Sequence, residues 1–127
     1  MRQVWLVDDD EEMSRAIALM LDVLGCEVMV FSTARSAVQT LISGKRPDVL
    51  VLDIHMPEIS GLDLLEFLRR RPEWKKLPVL MLSVEDSDNV VDRAFQLGAD
   101  FHLTKPVTLE ELEKGMAIAI QKHVSVK

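Results

Sequence analysis

A single cysteine, Cys26, stands among 127 residues, so no internal disulfide can form. No N-terminal stretch has the apolar core of a secretory signal, and together these two absences lead us to expect a cytoplasmic protein. The apolar runs are far too short to span a bilayer, so no membrane association is expected. Basic residues are in deficit: 15 Lys and Arg face 21 Asp and Glu, for a net charge of -6. No basic stripe exists to displace counterions, which argues against direct contact with nucleic acid. Internal repeats, low-complexity tracts and flexible linkers are missing too. What is present is 48% hydrophobic and 28% charged residues, the balance of one globular domain spanning 1–127.

Two apolar patterns alternate along the chain. Short continuous runs at Val4–Val7, Val28–Phe31, Asp48–Leu52 and Val79–Leu82, with a weaker one at Asp100–Leu103, read as strands buried on both faces. Between them lie amphipathic stretches. Ser14–Leu24 carries Ile17, Met20, Leu21 and Leu24 on one stripe and stops at Gly25. Ala34–Ile42 is capped by Ser32 or Thr33 and ends at Ser43-Gly44. A helix opened by Ser60-Gly61 carries Leu62, Leu65, Phe67 and Leu68 and ends before Pro72. Ser87–Leu97 sets Val90, Val91, Ala94 and Phe95 near one face, and Leu109, Leu112, Met116 and Ile120 mark the last helix. Five βα units imply a parallel sheet with helices on both faces. Met13, Met20, Met29, Met81 and Met116 read as core and Cys26 as a small buried or half-buried side chain. Trp74 reads as a turn residue packed on Pro72 or a lysine stem. His123 reads as solvated, and Arg69-Arg70-Arg71 as a helix end complementing its dipole.

In such sheets ligands sit beyond the carboxyl ends of the strands. Those ends carry Asp8-Asp9-Asp10 with Glu11-Glu12, then Asp53, Ser83 and Lys105-Pro106. Alone, the first acids also read as a solvated loop that caps a helix, and Ser83 as a cap. Brought together, clustered carboxylates repel unless they share a cation, and few ligands plus retained water suit Mg²⁺. Asp53 is then placed to attack phosphorus, with Lys105 and the Ser83 hydroxyl holding phosphoryl oxygens. On this reading Mg²⁺ compensates the acids before phosphorylation and Lys105 shares the load afterwards.

The stretches Val7-Asp8-Asp9, Leu52-Asp53-Ile54-His55-Met56-Pro57 with Gly61, Ser83 after an apolar run, and Gly98-Ala99-Asp100 leading to Lys105-Pro106 resemble the receiver domain of two-component response regulators. The resemblance runs over essentially the whole chain. It implies a flavodoxin-like, doubly wound five-stranded parallel sheet in the order 2-1-3-4-5 with five helices, a topology for which a receiver protein is itself the stock example. It implies that Asp53 accepts a phosphoryl group from a histidine kinase or phosphotransfer protein. It implies Mg²⁺ held by Asp9 and Asp53, by Asp8 directly or through water, and by the His55 backbone carbonyl. Ser83 and Lys105 would bind the phosphoryl group, the Lys105-Pro106 bond would be cis, and no enzymatic turnover beyond autocatalytic phosphoryl transfer and self-dephosphorylation is implied.

Four positions depart from the family or tune it. Val84 stands where Ala or Gly is usual, which implies slower exchange at Asp53. His102 takes the place of the switch aromatic, and an imidazole, unlike those rings, is a type of side chain that can titrate near neutral pH. His55 and Glu85 fall at positions that tune acyl-phosphate lifetime. The last helix-strand-helix face, with Ala94, Phe95, His102 and the helix from Leu109, would serve a homodimer or a target protein. Two other classes use the same acids: a Mg²⁺-dependent phosphohydrolase, which needs a substrate pocket usually built by an inserted cap, for which this chain has no insertion long enough, and a pseudo-receiver, which usually lacks one acid or the lysine. A stand-alone receiver and a receiver within a longer regulator both fit the sequence.

Overall fold

Strands and helices alternate along the chain: β1 (Gln3–Val7), α1 (Glu11–Val23), β2 (Glu27–Phe31), α2 (Ala34–Ile42), β3 (Val49–Asp53), α3 (Gly61–Arg69), β4 (Val79–Ser83), α4 (Asp88–Gln96), β5 (Phe101–Thr104) and α5 (Leu109–Gln121). This computed structural model describes residues 1–84 and 87–124. All neighbouring strands pair in parallel, in the order β2-β1-β3-β4-β5. The pleat sends alternate side chains to opposite faces. Trp5, Val7, Leu50, Leu52, Val79 and Met81 pack toward α2, α3 and α4. Val4, Leu6, Val49, Val51, Leu80 and Leu82 pack toward α1 and α5.

Local chemistry sets the helix ends. The Asp10 carboxylate accepts the Met13 N–H at 3.0 Å, so α1 starts at Glu11 rather than at Ser14. Glu11 and Glu12 suit its positive end. Thr33, not Ser32, caps α2. Ser60 with Asp63, and Thr108 with Glu111, satisfy two backbone donors reciprocally at the starts of α3 and α5.

Several expectations are corrected. β2 is not buried on both faces: Met29 and Val30 are 42% and 46% exposed, because β2 is an edge strand paired only with β1. Met29 is therefore not core, whereas Met81 and Met116 are. On the last helix-strand-helix face Ala94 points inward and is fully buried, while Phe95 and Leu109 are exposed. Trp74 is also core. Its ring lies 5.9 Å from that of Phe67, and the Arg71 guanidinium sits over both. A turn rich in charged neighbours hides one inward ring.

The largest correction concerns Arg69 and His123. Arg69 is half-buried in the last turn of α3 and does more there than complement the helix dipole. It donates to the carbonyls of Gly98 (2.9 Å), Trp74 (3.1 Å) and Leu77 (2.7 Å) and to Asp100 Oδ2 (3.1 Å). The same Asp100 oxygen accepts the Val79 N–H at 2.8 Å, and its other oxygen lies 2.8 Å from His123 Nε2. Asp100 thus ties α3, the start of β4, the entry to β5 and the end of α5 into one knot. His123 is half-buried there, not solvated. Replacing His123 by Ala removes one partner of a buried carboxylate. The expected cost is about 1 kcal/mol in urea unfolding; no measurable change would show that the pair contributes nothing.

Candidate functional site

Strand register brings the four predicted groups to one level. Val7 pairs with Leu52, Asp53 with Leu82 and Ser83 with Thr104, so Asp8, Asp53, Ser83 and Lys105 gather at the carboxyl ends of β1, β3, β4 and β5. All four are buried. Lys105 Nζ lies 2.9 Å from Asp8 Oδ2 and 3.3 Å from Asp53 Oδ1. The ammonium bridges the two acids. The Lys105-Pro106 peptide is cis. Asp9 is exposed, yet a carboxylate oxygen from each of Asp8, Asp9 and Asp53 falls within 4.8 Å of the others.

Backbone donors orient the acids. The Asp10 N–H donates to Asp8 Oδ1 at 2.9 Å, and the His55 N–H points at Asp53 Oδ1 at 3.4 Å. The His55 side chain is exposed. Ser83 is fully buried, and its Oγ lies 2.9 Å from His102 Nε2. The hydroxyl and the imidazole are thus directly joined, a link that residue types alone do not reveal. Val84 is 70% exposed at the rim. Glu85 lies outside the described residues.

The electrostatics follow from this crowding. Burial and then the Asp8 carboxylate push the Asp53 carboxyl up to about 6, against the opposing pull of Lys105 and the His55 N–H. Burial alone would lower Lys105, but its hydrogen bond to Asp8 and the two nearby carboxylate charges outweigh burial and raise it. A carboxylate held reluctant to ionise beside a fixed ammonium is ready for chemistry that adds negative charge.

The loop from β3 to α3 holds Asp53 by close backbone approach. The Gly61 N–H donates to the Ile54 carbonyl at 2.9 Å. Just before it, Glu58 adopts a φ of 65°, in the left-handed region that side chains disfavour. Glu58→Gly is expected to raise stability by roughly 0.5–1 kcal/mol in thermal or urea unfolding. A loss instead would mean that the Glu58 side chain stabilises the loop by more than its backbone strain.

Residues 4–117 match the family described as the response regulator receiver domain. The chain belongs to that family. This receiver is 31% identical over 125 residues to the transcriptional regulatory protein KdpE of Mycobacterium tuberculosis (strain ATCC 25618 / H37Rv), covering 98% of this chain and 54% of that protein. It is 35% identical over 120 residues to protein RcaC of Microchaete diplosiphon, covering 94% of this chain and 18% of that protein. The chain therefore spans about half of one of these curated relatives and less than a fifth of the other. Among solved structures, the receiver superposes on a response regulator from Chloroflexus aurantiacus J-10-fl with a TM-score of 0.89 at 29% identity, over 94% of this chain and 98% of that one. Chemotaxis protein CheY4 of Vibrio cholerae gives 0.84 at 28% identity, over 98% of this chain and 99% of that one. Receiver domains are signalling domains, and no helix among the described residues is long and apolar enough to cross a membrane.

Proposed function

We propose that residues 1–127 act as one receiver domain, a cytoplasmic switch in which Asp53 accepts a phosphoryl group from a histidine kinase or phosphotransfer protein. The observation that carries this reading is the buried Asp53 carboxylate, set 3.3 Å from Lys105 Nζ beside a second buried acid. An Asp53 oxygen attacks phosphorus while the phosphorus–nitrogen bond to the donor imidazole breaks. The electron pair leaves on that nitrogen, and an acyl phosphate forms.

Lys105 donates to a phosphoryl oxygen and offsets its charge. Ser83 exchanges its bond with His102 for one to another phosphoryl oxygen. The imidazole, released from Ser83, alters the face formed by α4, β5 and α5, where Phe95 and Leu109 are exposed for a homodimer or a target protein. His55, Val84 and Glu85 tune the lifetime of the acyl phosphate from the rim.

The donor set fits Mg²⁺: three hard carboxylate oxygens lie within 4.8 Å of one another. Asp9 and Asp53, Asp8 directly or through water, and the His55 carbonyl are the groups to hold it. When bound, the ion supplies neutralisation for the incoming phosphoryl charge.

Incubation with acetyl phosphate and Mg²⁺, followed by intact mass measurement, tests the reading. Wild type should gain a single phosphoryl adduct that is stable in acid and labile in base, and Asp53→Asn should gain none. Absence of the adduct, together with failure to bind beryllofluoride, would overturn it.

A further inference from the structure

The pole opposite Asp53 has a charge of the other sign. Six of the fifteen lysines and arginines, Lys45, Arg46, Arg70, Arg71, Lys75 and Lys76, are exposed on the α2–β3 and α3–β4 connections, at the amino-terminal ends of the strands. Glu66 and Glu73 pair with Arg70 and Arg71 there, and Asp48, on the first connection, accepts the Gln3 N–H. The remaining nine cations share the rest of a chain whose net charge is -6.

This pole is a fixed platform. Arg46 Nη1 donates to the Glu73 carbonyl at 2.7 Å and ties the two connections together. Arg71 is held over the Phe67 and Trp74 rings at 5.7 and 5.5 Å. Between the connections lies a hollow of about 350 Å³ with Leu41, Ile42 and Trp74 as its apolar lining and Lys45, Arg46 and Arg71 as its cationic one; Glu73, paired with Arg71, is the acid on its wall. Cations that complement the ends of α2 and α3 account for one or two of these charges. They do not account for six on two neighbouring connections, three of them lining a concave, partly apolar surface.

We propose that this pole docks an acidic polypeptide segment bearing an apolar side chain. Its carboxylates meet Lys45, Arg46, Lys75 and Lys76, and its apolar group seats against Leu41, Ile42 and Trp74. A hollow of this size takes one or two side chains, whereas a nucleic-acid duplex or a lipid headgroup surface offers charge with no single apolar group to fill it. The acidic remainder of the surface repels such a segment, so it is steered to one end of the molecule. That end lies away from Asp53, so docking does not depend on the phosphoryl chemistry.

The full chain is titrated against a fluorescein-labelled oligoglutamate peptide with one central leucine, read by fluorescence anisotropy. Binding is expected to weaken about tenfold between about 50 mM and 300 mM NaCl. It should weaken by at least about tenfold in a Lys45→Glu/Lys75→Glu/Lys76→Glu variant. All three side chains are exposed, and circular dichroism verifies that the variant is folded. Serine in place of the peptide leucine should also weaken binding. No binding of the peptide, unchanged binding by the variant, or indifference to the leucine would each overturn the proposal. So would equal or tighter binding of a DNA duplex or of phosphatidylglycerol vesicles.

Discussion

Gly61→Ala is expected to lower the stability of the receiver by about 3–4 kcal/mol, a large share of the total for a domain of this size. A Cβ at Gly61 would lie 2.1 Å from the Asp53 carbonyl oxygen and 2.8 Å from both the Asp53 carbonyl carbon and Ile54 Cα. All three are backbone atoms at the end of a central strand, so no side chain can swing away to relieve the clash. The start of α3 must retreat, and the hydrogen bond from Gly61 to Ile54 goes with it. Phosphoryl uptake at Asp53 should fall in parallel, because the same peptide units aim its carboxylate. Urea unfolding measures the first effect and intact mass after acetyl phosphate the second. A loss below about 1 kcal/mol would mean that the loop is far more yielding than its contacts indicate.

Asp53→Asn should act in the opposite direction, stabilising the metal-free protein at pH 8 by about 2 kcal/mol, or several degrees in Tm. The folded state holds the Asp53 proton up to about pH 6, whereas a solvated carboxylate loses it near 3.8. The folded chain therefore binds this proton more tightly than the unfolded chain does. Stability from this group is greatest below the unfolded value, falls as pH rises from about 4 through 6, and stays low above that. Asparagine carries no charge at any of these values, so its advantage should be largest at pH 8 and mostly gone by pH 4. Lys105 keeps Asp8 as a partner in the variant, which limits what is lost. Equal stability of wild type and variant at pH 8 would show that Lys105 fully compensates the ionised acid. On these expectations the Asp53 carboxylate stands at the expense of the fold that holds it.

The central strands are legible in the sequence for a physical reason. β1, β3 and β4 are covered on both faces, so their apolar residues run unbroken and every boundary falls within a residue of expectation. β2 has the same appearance, Val28-Met29-Val30-Phe31, but its place at the sheet edge exposes two of those four side chains. Strand order is a tertiary fact, and it reached the sequence reading only through the family resemblance. The acids of the site were legible because each ends an apolar run, and parallel strands align their ends. The bond between Ser83 and His102 and the knot of Arg69, Asp100 and His123 join residues 19 to 31 positions apart with no periodicity to mark them. Trp74 was hidden by its charged neighbours.

The knot at Asp100 also has a mechanical meaning. At the amino-terminal ends of β4 and β5, a displacement must break several charge-assisted bonds at once, to Arg69, to His123 and to the Val79 N–H. At their carboxyl ends, Ser83 and His102 meet through a hydroxyl–imidazole bond. Movement of this pair of strands is therefore expected to be that of a reed clamped at its base: small where α3 and α5 are anchored, and growing along its length toward the tip.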